Sequence, residues 1–239
     1  MALRTSWLAI AIVACASAPP AVVETPAPPA ARVRAAARVE PPAEPPVAPP
    51  VAEPTVTEPV ALAPCPSSPR DKRQLPDHVV KLAELGDAMT VVDLGSGDGY
   101  FLCHFSRAVG PRGRVVATEV RAGLVRALKK RVAREALANV EIVRAPANDV
   151  GVAGADRIVL VNVWHHLPAR KRYAARIARA LAPGGKVVVI DFPRRGQAGH
   201  GIAPERVLAE LAAGGIEAKL VRAELTGQYV IIGSPRAAS

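Results

Sequence analysis

Aromatic side chains are almost missing from this chain: its 239 residues include three Phe, three Tyr and two Trp. Eight rings over that length do not supply the stacking platform on which single-stranded nucleic acid is held. Cysteine is rarer still, at Cys15, Cys65 and Cys103, and no Cys-x-x-Cys pair occurs, which argues against a structural metal site. Cys103 is expected on an apolar helix face, and Cys65 is expected to be incidental. The apolar run near the start, Leu8–Ala14, is too short to span a bilayer as a mature helix.

Charge of one sign is in excess. The formal net charge is +10. Residues 1–70 hold five Arg and five Glu, so the excess belongs to the remainder. A basic surface favours anionic partners. Here the arginines are spread over helices, as in 121–134, and do not alternate with aromatics. The expectation is a solvated basic surface with no specific nucleic-acid partner.

Proline is plentiful but unevenly placed: 16 of 24 lie in residues 1–70. That segment has almost no long apolar run after residue 15 from which to build a core. One positive charge, a short apolar run and small residues open the chain, the layout of an export signal. Ile12-Val13-Ala14-Cys15 resembles a bacterial lipobox, which implies lipidation of Cys15, membrane contact through it and an exported, anchored protein. If the leader is not a signal, a cytoplasmic protein is the alternative. Residues 16–70, with repeated Pro-Pro, Ala-Pro and Glu-Pro, read as an extended, unpaired linker. At ~3.1 Å per residue it reaches on the order of 150 Å. The expected organisation is a signal over 1–15, a linker over 16–70 and one folded domain over 71–239.

From residue 76 the pattern alternates between strand and helix. Strands are expected at Thr90–Leu94, Arg114–Glu119, Val140–Val143, Asp156–Val163, Lys186–Asp191, Glu217–Arg222 and Tyr229–Ile232. Helices are expected at Asp77–Leu85, Tyr100–Val109, Ala122–Arg134, Ala169–Leu181 and Pro204–Ala213. Alternation of this kind makes an α/β fold with a mostly parallel sheet covered on both faces, and the short last connection makes the final pair antiparallel.

Ligands of such sheets sit beyond the carboxyl ends of the strands. The first strand runs straight into Asp93-Leu94-Gly95-Ser96-Gly97-Asp98-Gly99. A dinucleotide fingerprint needs glycine where Tyr100 stands, and a phosphate-cradling loop needs Lys-Ser/Thr where Tyr100-Phe101 stands. Asp93 and Asp98 also disfavour a phosphate at the helix start and suit a cationic ligand. Glu119 ends the second strand, where an acidic side chain can accept ribose hydroxyls.

Val91-Val92-Asp93-Leu94-Gly95-Ser96-Gly97-Asp98-Gly99-Tyr100 resembles motif I of class I S-adenosylmethionine-dependent methyltransferases, and Ala117-Thr118-Glu119-Val120 resembles the acidic end of their second strand. Asp156–Leu167 with Leu181-Ala182-Pro183-Gly184-Gly185-Lys186 is similar to their fourth and fifth strands. The likeness covers nearly all of 76–233 and is nearest to small-molecule enzymes of the ubiquinone-biosynthesis type. It implies a Rossmann-like seven-stranded sheet in the order 3-2-1-4-5-7-6, with strand 7 antiparallel, and S-adenosylmethionine as cofactor. It gives Asp93, Gly95, Ser96, Gly97, Asp98 and Gly99 to the methionine part and Glu119 to the ribose. The adenine loop departs from the family: Pro146 stands where an aspartate is usual, leaving Asn148 or Asp149 as substitutes. Asn162 would line the methyl-transfer face.

Trp164-His165-His166 follows the fourth strand. Titrating near neutrality, His165 or His166 is the candidate general base, or else lines the pocket. Trp164 either stacks on substrate or fills core; Tyr100, His78 and Asp191 are further candidates at the pocket. Adjacent histidines without a third ligand make no metal site. The expected activity is methyl transfer to a small-molecule or lipid-like acceptor. The rivals are a tethered domain that binds the cofactor without turnover, and a nucleic-acid or protein methyltransferase. For nucleic acid, Asn162-Val163-Trp164-His165 replaces the Asn/Asp-Pro-Pro-Tyr/Phe type of motif.

Overall fold

The computed structural model describes residues 64–194 and 199–237. The expected signal, Cys15 and most of the expected linker lie outside the described residues. Seven strands form one sheet: β1 Thr90–Leu94, β2 Arg114–Glu119, β3 Val140–Arg144, β4 Ala155–Val161, β5 Leu181–Asp191, β6 Ile216–Val221 and β7 Tyr229–Pro235. Six helices accompany them: α1 Asp71–Gln74, α2 Pro76–Leu82, α3 Leu102–Val109, α4 Ala122–Arg134, α5 Arg170–Ala180 and α6 Pro204–Ala213. The strand order is β3-β2-β1-β4-β5-β7-β6. All neighbours are parallel except β7, which runs antiparallel to both β5 and β6. This is the Rossmann-like order that the resemblance implies.

The apolar strands bury both faces because successive side chains point to opposite sides. Ile158 and Leu160 of β4 join Val187 and Val189 of β5 in a core with Ile177 of α5 and Leu211 of α6. Val159 of β4 and Val188 and Ile190 of β5 turn the other way, against Phe105 of α3 and Leu128 of α4. Each fully buried Leu, Ile or Phe contributes about 1.5–3 kcal/mol relative to exposure.

Several expected boundaries move by one to five residues, and two of these shifts have a visible cause. Strand β4 stops at Val161 because Asn162 takes φ +59°, which turns the chain out of the sheet. Strand β5 begins at Leu181, earlier than the Pro-Gly-Gly turn suggests, and Leu181 pairs with Ala155 before an irregularity in register. Another difference concerns Cys65. It is not incidental: it is bonded to Cys103 of α3. The bond ties the start of the described chain to the helix that follows the glycine loop.

Candidate active site

A cavity of about 510 Å³ opens at the carboxyl ends of β1, β2 and β4. Its floor is Asp93-Leu94-Gly95-Ser96-Gly97-Asp98, its flanks are Thr118-Glu119-Val120-Arg121 on one side and Val161-Asn162-Val163 on the other. The loop hangs from β2: the N–H groups of Gly95 and Ser96 both donate to Thr118 O at 3.0 Å. Arg131 of α4 holds it from behind, Nη1 donating to Asp98 O at 3.0 Å.

The glycines divide by task. A Cβ on Gly99 would lie 2.7 Å from Leu128 Cδ2, so Gly99 admits α4 and does not line the cavity. A Cβ on Gly97 would meet nothing nearer than 4.0 Å, yet Gly97 lines the cavity. The space above Gly97 is therefore left for a ligand to approach backbone.

Asp93 is 4% exposed. Burial pushes its carboxyl up to about 7, helped by the charge of Asp98, although Ser96 acts against the rise. A buried acid of this kind is stabilised in its charged form by an incoming cation. Glu119 is 5% exposed and its Oε1 accepts from the N–H groups of Val120 (2.9 Å) and Arg121 (3.0 Å) at the entry to α4. One oxygen is thus used by the chain, and Oε2 remains for a ligand hydroxyl. These features fit a nucleoside with positive charge at its far end.

Of the remaining sequence candidates, Tyr100, Asn162 and His166 line the cavity. Asn162 Oδ1 accepts from Gln228 Nε2 at 2.7 Å, which holds the turn after β4. Burial and the adjacent His165 keep the imidazole of His166 below its ordinary value. It is therefore neutral near pH 7 and able to take a proton. His165 is not part of the lining: its Nδ1 lies 2.7 Å from Asp191 Oδ1. Trp164 is fully buried and donates Nε1–H to Glu210 at 2.9 Å, so it fills core and does not face substrate. Asn148 and Asp149 are exposed and stand away from the lining, where Ala145 and Ala147 form the wall. The backbone explains their placement: Asp149 N bonds Pro146 O at 3.1 Å and Asp149 O accepts from Tyr173 Oη at 2.7 Å. His78 lies on α2 and is not part of the lining.

Sequence reasoning missed Thr118, Val163, Leu167, Tyr173 and Arg70 as cavity residues. Thr118 neighbours Glu119 on the strand and was legible in principle. Arg70 and Tyr173 come from distant parts of the chain, and no local pattern marks them.

Residues 91–185 match the family model described as a methyltransferase domain. The chain is 29% identical over 111 residues to an arsenite methyltransferase of Halobacterium salinarum, covering 46% of this chain and 28% of that protein. It is 25% identical over 125 residues to a ubiquinone/menaquinone biosynthesis C-methyltransferase of Hydrogenovibrio crunogenus, covering 49% of this chain and 47% of that one. The chain thus spans less than half the length of these two curated relatives. Among solved structures, a SAM-dependent methyltransferase from Aquifex aeolicus superposes with a TM-score of 0.62 at 24% identity, covering 70% of this chain and 93% of that one. The chain has the Rossmann-like fold of that protein, and its residues 91–185 are similar to the methyltransferase-domain class. The methyl donor of that class is S-adenosylmethionine.

Proposed function

We propose that this chain transfers a methyl group from S-adenosylmethionine to a small-molecule or lipid-like acceptor. The observation that carries the reading is the cavity itself, where the buried Asp93, its carboxyl raised by burial, and the half-used carboxylate of Glu119 flank an open Gly97. When bound, the cofactor supplies an electrophilic methyl on a sulfonium. Asp93 meets positive charge at the amino-acid end, Glu119 Oε2 accepts from the ribose, and Ala145 and Ala147 make an apolar wall at the β3 end for the base. The adenine is then held by shape and not by a carboxylate.

Displacement at a methyl carbon asks for alignment and exclusion of water. Val161, Val163 and Leu167 supply apolar walls on the side of the cavity beyond β4. His166 is the residue placed to remove a proton from an acceptor that must lose one. His165 supports it from beneath, its ring centroid 3.9 Å from that of His166.

Export and lipid anchoring at Cys15 remain part of the reading. The Cys65–Cys103 disulfide supports export, since such bonds persist in oxidising compartments. No helix among the described residues is long and apolar enough to cross a membrane. An anchored domain that binds cofactor without turnover is the second reading, favoured by the same disulfide, because the methyl donor is a cytoplasmic metabolite.

Calorimetric titration with S-adenosylhomocysteine tests the cavity, and methyl release from labelled S-adenosylmethionine over an acceptor panel separates the two readings. Glu119→Gln keeps a carbonyl oxygen for the Val120 and Arg121 N–H groups while weakening the ribose contact, so binding falls by about 1–3 kcal/mol with the fold retained. Mass spectrometry of the mature N-terminus tests lipidation; an unprocessed Met1 refutes it.

A further inference from the structure

The cavity has a lip that the reading above leaves without a task. Residues 65–75 cross from α3 to the start of α2, and Arg70 lies on that crossing and lines the cavity. Cys65 fastens one end to Cys103 in the first turn of α3. Asp71 fastens the other: it accepts from Ser68 N–H at 2.8 Å and from Tyr100 Oη at 2.5 Å. Arg70 stands between the two ties, its guanidinium 4.2 Å above the Tyr100 ring and its Nη1 2.6 Å from Asp98 Oδ2.

The charges around the cavity leave one need unmet. Its walls carry three acids, Asp93, Asp98 and Glu119, and two arginines, Arg70 and Arg121. Arg121 is 70% exposed and sits at 3.5 Å from Glu119, on the ribose side. A methionine-derived ligand ends in a carboxylate as well as an ammonium. Of the two lining arginines, Arg70 is the one beside the glycine loop, opposite the ribose side. Its present partner Asp98 is 62% exposed, and so open a pair is weakly held. A guanidinium offers a fork that takes a second carboxylate without releasing the first.

We propose that Arg70 is a further cofactor-binding residue. It takes the carboxylate of the amino-acid end, and residues 65–75 are a strap that the Cys65–Cys103 bond holds beside the cavity, with Arg70 at its rim. This rests on the S-adenosylmethionine reading. Stacking on Tyr100 fixes the guanidinium plane, and the two ties on either side of Arg70 fix its backbone. Cys65 is thus a positioning residue and Arg70 the one that touches ligand.

The test titrates the full oxidised chain with two probes, S-adenosylhomocysteine and its decarboxylated analogue, which lacks only the group in question. Arg70→Ala weakens S-adenosylhomocysteine roughly 10- to 100-fold and leaves the analogue unchanged. Arg70→Lys, which keeps charge but loses the fork, recovers part of the difference. Cys65→Ser gives a smaller loss that is again confined to the carboxylate-bearing probe. Equal losses for both probes, or none, in Arg70→Ala overturn the assignment. Unchanged affinity in Cys65→Ser overturns the fastening. Wild-type protein that binds neither probe removes the cofactor reading itself, a result distinct from these.

Discussion

Asp191 and His165 are joined twice. The His165 N–H donates to Oδ2 at 3.1 Å and the imidazole Nδ1 lies 2.7 Å from Oδ1. Asp191 is fully buried at the end of β5 and also accepts from the Phe192 N–H at 2.8 Å. A carboxylate partner places the proton of the neutral ring on Nδ1 and leaves Nε2 as the basic nitrogen. Asp191→Ala strands two backbone donors, so urea denaturation should show a loss of about 2–4 kcal/mol. A loss under half a kilocalorie would mean that water replaces the carboxylate.

Asp93 makes ligand affinity depend on pH. Its carboxyl, raised by burial to about 7, is protonated in part at neutral pH, and a bound ammonium draws it back to the ionised form. Affinity for S-adenosylhomocysteine therefore rises with pH through this region and binding releases a proton. Titration should show roughly tenfold weaker binding at pH 6 than at pH 7.5. In Asp93→Asn the slope should flatten, and heats measured in buffers of different ionisation enthalpy should coincide.

The two outer functions of the glycine loop separate by mutation. Gly99→Ala drives a Cβ against Leu128 at 2.7 Å and Leu102 at 3.0 Å, at φ +79°. It should lower the thermal midpoint clearly. Gly97→Ala has open space and a φ of +59°, so it costs about 1 kcal/mol of backbone strain. Its main effect should be on ligand binding, since the added methyl occupies the space above the loop. Equal thermal shifts for both variants would remove this division.

Glu210 should give the protein an acid-sensitive joint. Burial opposes its charge, but donors from Arg170, Trp164 and Arg206 outweigh burial and hold the carboxyl below its ordinary value. The contribution is complete above the unfolded value near 4.5 and is lost as pH falls through the lower folded value. Glu210→Gln should be less stable than wild type at pH 7 and lose less stability on acidification. Parallel stability-versus-pH curves for the two proteins would refute it.

The elements with strong local periodicity were legible in the sequence. Strands Thr90–Leu94 and Arg114–Glu119 and helices Ala122–Arg134 and Pro204–Ala213 match the pattern to the residue. The strand order came from the resemblance, since the pattern of alternation alone does not say which strand lies beside which. The cavity floor was legible for the same reason as the strands: it is one continuous stretch from Asp93 to Asp98. What stayed hidden depends on partners far along the chain. Trp164 looked equally suited to substrate and core until Glu210, 46 positions away, supplied its acceptor. His165 and Asp191 are 26 apart. Cys65 looked incidental because its neighbours are prolines and serines, and its role depends on where α3 brings Cys103. The departures at Asn148 and Asp149 have a backbone cause, the turn closed by Pro146.

The contact between Gly95 and Val163 has a consequence for the width of the cavity. A Cβ on Gly95 would meet both Val163 methyl carbons at 2.9 Å, so the β1 and β4 loops already touch where they face each other. The gauge of the slot between them is set by the branching of one side chain. Trimming Val163 to alanine widens it by two methyl groups, and lengthening it to isoleucine narrows it by one. The slot is thereby adjustable by one or two carbons at a residue that lies outside the strands.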